Sequence, residues 1–350
     1  MVIDANMYWL PESIFEQDKA EQFLSEVPKA YGTNAYLTVN QEQNVRQIVI
    51  EKPKGYQNLN YAQGDYQLEV QLADMKEAGV DRAILKMPGC HEWMSLDTCR
   101  RFNDGMMKQA KNSSGKLIPL AVLPPFASDA CFEELKRCRE MGMKDIQLCA
   151  HYGNVYLDDE IFSEFFEKLN EEETTVYIHH TPVPVEYGSL YDYNNLRRSY
   201  GRCVDQTTAI CRELFSGFFD KYPNLTFVHS MLGGGFFAIA NMIFPHKGKQ
   251  ERVQRFEGAD DVKEQFKKHI YFEMSHAQPW GKDQLQCAIN VLGADHILFG
   301  TSYPVRKEWL IEGASFVENL DITEQEKNLI LYENAKRIYH LNEEDLTSSV

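Results

Sequence analysis

Five of the ten histidines, His151, His179, His180, His229 and His276, stand at or just past the ends of short apolar runs. Imidazole takes and gives protons near neutral pH, so several imidazoles meeting on one rim describe an acid/base centre. Glu273, in "HIYFEMSHAQPW", adds a carboxylate that reads either as a general base, if buried, or as a salt-bridged rim residue. Hydrogen-bonding residues stand at matching places, Asn6 and Tyr8 in "DANMYW" and Ser302 and Tyr303 in "FGTSYP", while Trp280 offers a flat face to a ring. The chemistry these types support is proton transfer on a small carbonyl or carboxylate compound. His179, His229 and Glu273 are the expected catalytic groups. Asn6, Tyr8, His151, His276, Trp280, Ser302 and Tyr303 are expected to bind the substrate. Asn and Ser also cap turns, and Tyr suits strands, so the same residues have an ordinary structural use.

Such residues cooperate only if the chain brings them to one end of one sheet. Eight apolar runs have strand character: 1–9, 81–88, 117–125, 143–150, 174–180, 225–231, 269–275 and 296–302. Helix-like stretches separate them, as in "DDEIFSEFFEKLNEE", whose Ile161, Phe162, Phe165, Phe166 and Leu169 share a helical face. This alternation predicts an α/β fold, a distorted (β/α)8 TIM-like barrel, since no Gly-x-Gly-x-x-Gly follows the first strand. In such a barrel the reacting groups sit at the carboxyl ends of the strands. His180, beside His179, is expected to point away from them. His269 and His296 begin strands and fall on the opposite, stabilising face.

Residues 10–65 are too long for an ordinary strand-to-helix connection. Within them "RQIVIEKPKGYQ" alternates like a hairpin, so a cap or dimer arm is expected inside one domain spanning 1–350. The apolar "AYLTV" and "IVI" favour a homodimer through this insertion. The C-terminal "ITEQEKNLILYENAKRIYHL" is amphipathic, opens with a capping box at "TEQE" and should close the domain.

A net charge of −16 repels phosphate backbones and anionic lipid, so no nucleic acid or membrane partner is expected. No run approaches eighteen apolar residues, and "MVIDANMYWLPE" lacks the basic and apolar regions of a signal peptide, which predicts a cytoplasmic protein. The eight cysteines contain no C-x-x-C pair and read as reduced thiols rather than zinc ligands. "MLGGGFF" lacks the following Lys-Ser/Thr of a phosphate loop. Arg197, Arg198 and Arg202 in "RRSYGRC", or Arg306 and Lys307 after "SYP", offer a clamp for a carboxylate or a solvated face.

From "MKDIQLCAHYGNVYLDDEIFSEFFEKLNEEETTVYIHHTP" through "DQTTAICRELFSGFFDKYPNLTFVHSMLGGGFFAI" to "LGADHILFGTSYPV" and "YENAKRIYHL", the chain resembles an amidohydrolase family. That family includes aminocarboxymuconate semialdehyde decarboxylase and the aromatic-acid decarboxylases. The resemblance runs from about Leu68 to Leu341, with the first strand in addition. It implies a distorted barrel and one divalent metal held by His-x-His or Glu-x-His on the first strand, a His ending the fifth, and an Asp in a Gly-Ser-Asp-x-Pro turn. Those positions fall on Asn6 and Tyr8, on His179, and on Ser302. The sixth-strand His falls on Met231, with His229 two residues earlier on the expected same side.

One imidazole does not make a zinc or manganese site, which wants three or four ligands with negative charge. The expectation is therefore an enzyme without cofactor, with zinc or manganese on His179, His229 and Glu273 as the ligand set if a metal is present. Water addition to a small cyclic or aromatic carbonyl or carboxylate compound, a hydrolase reaction, is the main expectation. The alternatives are non-oxidative decarboxylation of an aromatic or unsaturated cyclic acid by a carboxy-lyase, and a catalytically silent ligand-binding barrel.

Overall fold

The computed structural model describes residues 1–28, 33–51, 54–55, 57–181, 184–185, 188–190, 196–244 and 262–341. Its first strand, β1 (Ile3–Tyr8), is buried along its whole length. Three strands follow outside the barrel rhythm: β2 (Asn34–Asn40), β3 (Val45–Glu51) and β4 (Gln57–Ala62), antiparallel in the order β2-β3-β4. Ile48, Ile50 and Tyr61 of this cap join the main apolar core. Polar ties fix it as well, because Arg46 donates to the Phe15 carbonyl at 2.9 Å and the Tyr61 hydroxyl to the Pro88 carbonyl at 2.6 Å.

The barrel resumes with β5 (Arg82–Lys86) and β6 (Leu117–Pro119), both parallel to β1 in the order β1-β5-β6. Only Leu120 separates β6 from β7 (Ala121–Val122), so one stave pairs first with β5 and then with β8 (Ile146–Cys149). A two-rung hairpin, β9 (His151–Tyr152) and β10 (Val155–Tyr156), leaves the end of β8. The staves then run parallel through β11 (Thr175–His179), β12 (Thr226–His229), β13 (Ile270–Glu273) and β14 (Ile297–Leu298). The Ala5 amide donates to the Phe299 carbonyl and the Tyr8 amide to the Tyr303 carbonyl, both at 2.8 Å, which joins the last stave to the first. Among the described residues the ring therefore has eight staves, the TIM-like barrel expected from the eight runs.

Ile3, Ile84, Leu120, Tyr177, Val228 and Leu298 fill the inside of the ring, and a larger apolar layer lies between staves and helices. Parallel staves buried on both faces explain why their sequences are nearly continuous apolar runs. The helix Ser163–Glu171 buries Phe165, Phe166 and Leu169 as its periodicity predicts, with the Phe166 ring 4.9 Å from that of Phe218. Ile161 departs from that face. It lies in the 3-10 turn Glu160–Phe162, where the register differs from an α-helix, and is 52% exposed. The capping box forms between Thr323 and Glu326, and Ala335, Ile338 and Tyr339 join the inner cluster from the C-terminal segment. Among the described residues no helix is long and apolar enough to cross a membrane.

Candidate active site

The pairing of β1 with β5 slips between Asp4 and Met7. Ile3 and Ala5 face the inside of the ring before the slip; beyond it Asn6 and Tyr8 turn toward the site and Met7 joins the outer layer. A chain of hydrogen bonds results. Asn6 Nδ2 donates to Ser302 Oγ at 3.1 Å, Ser302 Oγ lies 3.4 Å from the Tyr8 hydroxyl, and that hydroxyl lies 3.0 Å from His179 Nε2. His179 Nδ1 is 2.6 Å from the His180 carbonyl, which only accepts, so Nδ1 carries the proton and Nε2 offers its lone pair to Tyr8. The direction of the chain is thereby set: Asn6 gives to Ser302, Ser302 to Tyr8, and Tyr8 to His179. Burial, and secondarily the charge of Glu273, raises the Tyr8 pKa and keeps the phenol protonated.

Under this floor lies a charged layer. Glu273 Oε1 accepts from Asn6 Nδ2, the Tyr177 hydroxyl, the Met231 amide and the Ser275 hydroxyl, and Oε2 accepts from the Ser275 amide, all at 2.9–3.2 Å. The carboxylate is a strut for Asn6 and not an open base. Lys86, fully buried on β5, donates to the Ala5 carbonyl at 2.6 Å, with its Nζ 3.1 Å from the centre of the Tyr177 ring. Burial pushes the ammonium well below its ordinary pKa, and Glu273 and Asp4 push it back up. Asp4 is raised by burial to about 6, against the hydrogen bond it accepts from Thr301.

Above the floor opens a cavity of about 350 Å³. Tyr8, His179 and Ser302 form its buried end, His180, His276 and Arg202 one wall, and the cap covers the other. His180 corrects the sequence expectation: β11 ends at His179, strand alternation stops there, and the His180 ring stacks on that of His179 at 4.2 Å. His276 meets His180 edge-on at 6.1 Å. All three rings are held neutral. Burial pushes His179 and His180 well below the usual imidazole pKa and His276 down to about 3, and Arg202 adds to each shift.

Behind His179 stands a fourth ring, His91, edge-on at 5.7 Å and lowered by burial to about 4. The Leu148 backbone opposes that shift, although neither ring nitrogen has a partner of hydrogen-bond geometry among the described residues. His91→Phe is therefore expected to stabilise the fold by about 1–3 kcal/mol at pH 8, the cost of unsatisfied buried polar atoms. A lowered imidazole pKa contributes stability that is full above 6.5 and lost as pH falls toward 4, so removing it should gain about 2 kcal/mol more at pH 5. Urea unfolding at the two pH values reads the difference, and equal gains would contradict it.

The structure does not bring every expected residue to this cavity: Asn6 is fully buried beneath its lining, where it holds Ser302. Val228 faces the inside of the ring, so His229 faces outward, where its ring nitrogens meet Gln206 Oε1 and Glu213 Oε2, each at 2.9 Å, from the helix Arg202–Phe215. His151 Nε2 lies 2.6 Å from the Thr181 hydroxyl and 3.4 Å from Asp205, a structural knot below the wall. Trp280 packs toward Phe237, and the Tyr303 hydroxyl donates to Asp74 at 2.6 Å on the helix Leu68–Ala78. The side chains of Arg197 and Arg198 lie outside the described residues. Sequence reasoning missed Lys86 and His91. Lys86 carried a signal, a single ammonium inside the apolar "AILKMP".

The amidohydrolase family model matches residues 52–341. The chain belongs to the amidohydrolase family. It is 24% identical over 287 residues to the gamma-resorcylate decarboxylase of Polaromonas sp., covering 77% of this chain and 86% of that relative. It is 24% identical over 243 residues to the 2-amino-3-carboxymuconate-6-semialdehyde decarboxylase of Dictyostelium discoideum, covering 69% and 66%. A dihydroxybenzoic acid decarboxylase from Polaromonas sp., solved with bound manganese and the inhibitor 2-nitroresorcinol, has the same fold. Its TM-score is 0.72 at 20% identity, over 99% of both chains.

Manganese in that relative asks whether this amidohydrolase's own residues suit such an ion. At the floor they do not. The side chains there are an amide, a phenol, a hydroxyl and one imidazole whose two nitrogens are both engaged, and the carboxylate beneath them, Glu273, is already taken up by five donors. His179, His229 and Glu273 do not converge, and among the described residues no three His, Cys, Asp or Glu side chains are grouped to hold a metal.

Proposed function

We propose that the chain is a carboxy-lyase, a non-oxidative decarboxylase of a small planar cyclic acid bearing a ring hydroxyl, working without a resident ion. The observation that carries this reading is that a guanidinium, Arg202, and three neutral imidazoles, His179, His180 and His276, line one cavity of single-ring size. The two decarboxylases among the relatives support carbon–carbon cleavage over the hydrolysis expected from the sequence.

Arg202 pairs with the substrate carboxylate. The fixed lone pair of His179 Nε2 accepts the proton of the substrate hydroxyl where it now accepts that of Tyr8. The resulting phenolate, taking hydrogen bonds from Tyr8 and Ser302, raises electron density at the carbon bearing the carboxylate. Burial makes the His179 imidazolium a strong acid, and it returns the proton to that carbon. The bond to the carboxylate then breaks, its electron pair restores the ring, and carbon dioxide leaves. One solvent proton restores the hydroxyl.

The test is chelator-treated protein of measured metal content, incubated with hydroxylated ring acids while carbon dioxide release and acid consumption are followed together. Equal amounts of both, unchanged by chelator, are expected. Turnover of cyclic amides or lactones in place of ring acids would overturn the lyase reading, and release that requires added manganese would overturn its ion-free part.

A further inference from the structure

The charges lining the cavity are divided between its two sides. Arg202, the imidazoles and Arg306, which also pairs with Glu308 at 3.7 Å, belong to the barrel, whereas Asp65, the one carboxylate among the described lining residues, lies at the end of the cap with the side-chain amides of Gln43 and Gln47. Two further amides of the lining are committed to the cap itself: Asn40 Oδ1 accepts from the Glu42 and Gln43 amides at 3.0 and 3.2 Å, and Asn60 Nδ2 donates to Gln57 at 3.0 Å. No hydrogen bond or ion pair within the described protein engages the side chain of Gln47 or Asp65. Their backbones are held in place. Gln47 sits in the middle of the three-stranded sheet, paired with Thr38 and Ala62, and the Gly64 amide preceding Asp65 is held by the Glu12 carboxylate at 3.1 Å. A carboxylate and an amide carried on a held backbone at a cavity wall offer acceptors for a hydrogen-bond donor.

The geometry points to a subsite in the cap, formed by Asp65 and Gln47, that binds a hydrogen-bond-donating substituent, an amine or hydroxyl, on the ring end opposite the substrate's carboxylate. It rests on the proposed reading that Arg202 holds that carboxylate. The substrate class is thereby narrowed to ring acids carrying a donor at both ends of the molecule: a hydroxyl next to the carboxylate for His179, and a second donor across the ring for the cap. Partial desolvation, with the charge of Glu12, raises Asp65 to about 6 although the residue is still exposed to solvent, so it accepts fully only above that pH.

The pair 4-aminosalicylate and salicylate differs only by the donor across the ring. Calorimetry at pH 8 is expected to give about tenfold tighter binding of 4-aminosalicylate, the size of one charge-assisted hydrogen bond. Asp65→Asn should reduce that preference to within about threefold, and Gln47→Leu to a lesser degree, while the salicylate Kd stays within about twofold; the preference should also fade as pH falls through 6. Equal binding of the two acids by the wild type, or a preference that survives both substitutions, overturns the subsite. Carbon dioxide release measured on the same samples separates the two ideas. Release without preference sinks the subsite alone, preference without release from any ring acid sinks the lyase reading alone, and failure of both acids to bind overturns both.

Discussion

His179→Ala is expected to lower kcat for ring-acid decarboxylation about 1,000-fold, within the range that a positioned acid/base group supplies, and Tyr8→Phe about 10–100-fold. The two effects differ because the two side chains do different work. In the proposed reaction His179 carries the proton both ways, with its tautomer fixed by the 2.6 Å bond to the His180 carbonyl. Tyr8 lies 3.4 Å from Ser302, the second donor proposed for the phenolate, so its loss would leave part of the stabilisation in place. The pH dependence separates this from a structural role. A base acts only while neutral, and the His179 pKa is pushed well below 6.5 by burial and by His91, so kcat/KM should stay level as pH falls past 6.5. Steady-state kinetics from pH 5 to 9, with circular dichroism to confirm the fold, checks both. A His179→Ala variant within tenfold of wild type would place the acid/base group elsewhere.

The sequence makes the staves legible because parallel strands buried on both faces leave unbroken apolar runs, and all eight become staves of the ring. Facing is legible only while alternation holds. It misleads at His180, one residue past the end of β11, and at His229, whose neighbours Phe227 and Val228 are both apolar and so do not reveal which side faces inward. The slip in β1 is equally silent in the sequence, although it is what turns Tyr8 toward the cavity and Asn6 toward Ser302 beneath it. Residues 10–65 read as an insertion by length alone. That their polar residues would line the cavity depends on how the cap is tilted onto the barrel, and that is set by Ile48, Ile50 and Tyr61 packing into the core and not by any local pattern. Reaction class was the least legible of all, since proton transfer serves hydrolysis and decarboxylation alike, and the proposed lyase reading leans on the decarboxylases among the relatives.

Lys86→Met is expected to destabilise the protein by about 3–5 kcal/mol at pH 8, because it leaves buried carboxylates without their cation. Lys86 makes no contact with the cavity, yet its charge acts on both Asp4 and Glu273. The deficit should depend on pH, and its sign follows from Asp4. A carboxyl raised in the fold from 3.8 to about 6 contributes stability that is full below 3.8 and is lost as pH rises through 6. Without Lys86 that pKa rises further, so the ionised Asp4 costs more at pH 8, whereas at pH 5 Asp4 holds its proton and the deficit shrinks. Urea unfolding at the two pH values measures this, and equal deficits would mean that Lys86 is neutral in the fold. The consequence reaches the site through one strut: Glu273 holds Asn6 at 3.0 Å, and Asn6 holds Ser302 beside Tyr8. A variant that still folds at pH 5 should therefore lose kcat more than it raises KM, since the side chains that hold the substrate carboxylate stay in place while the donors to the developing phenolate shift.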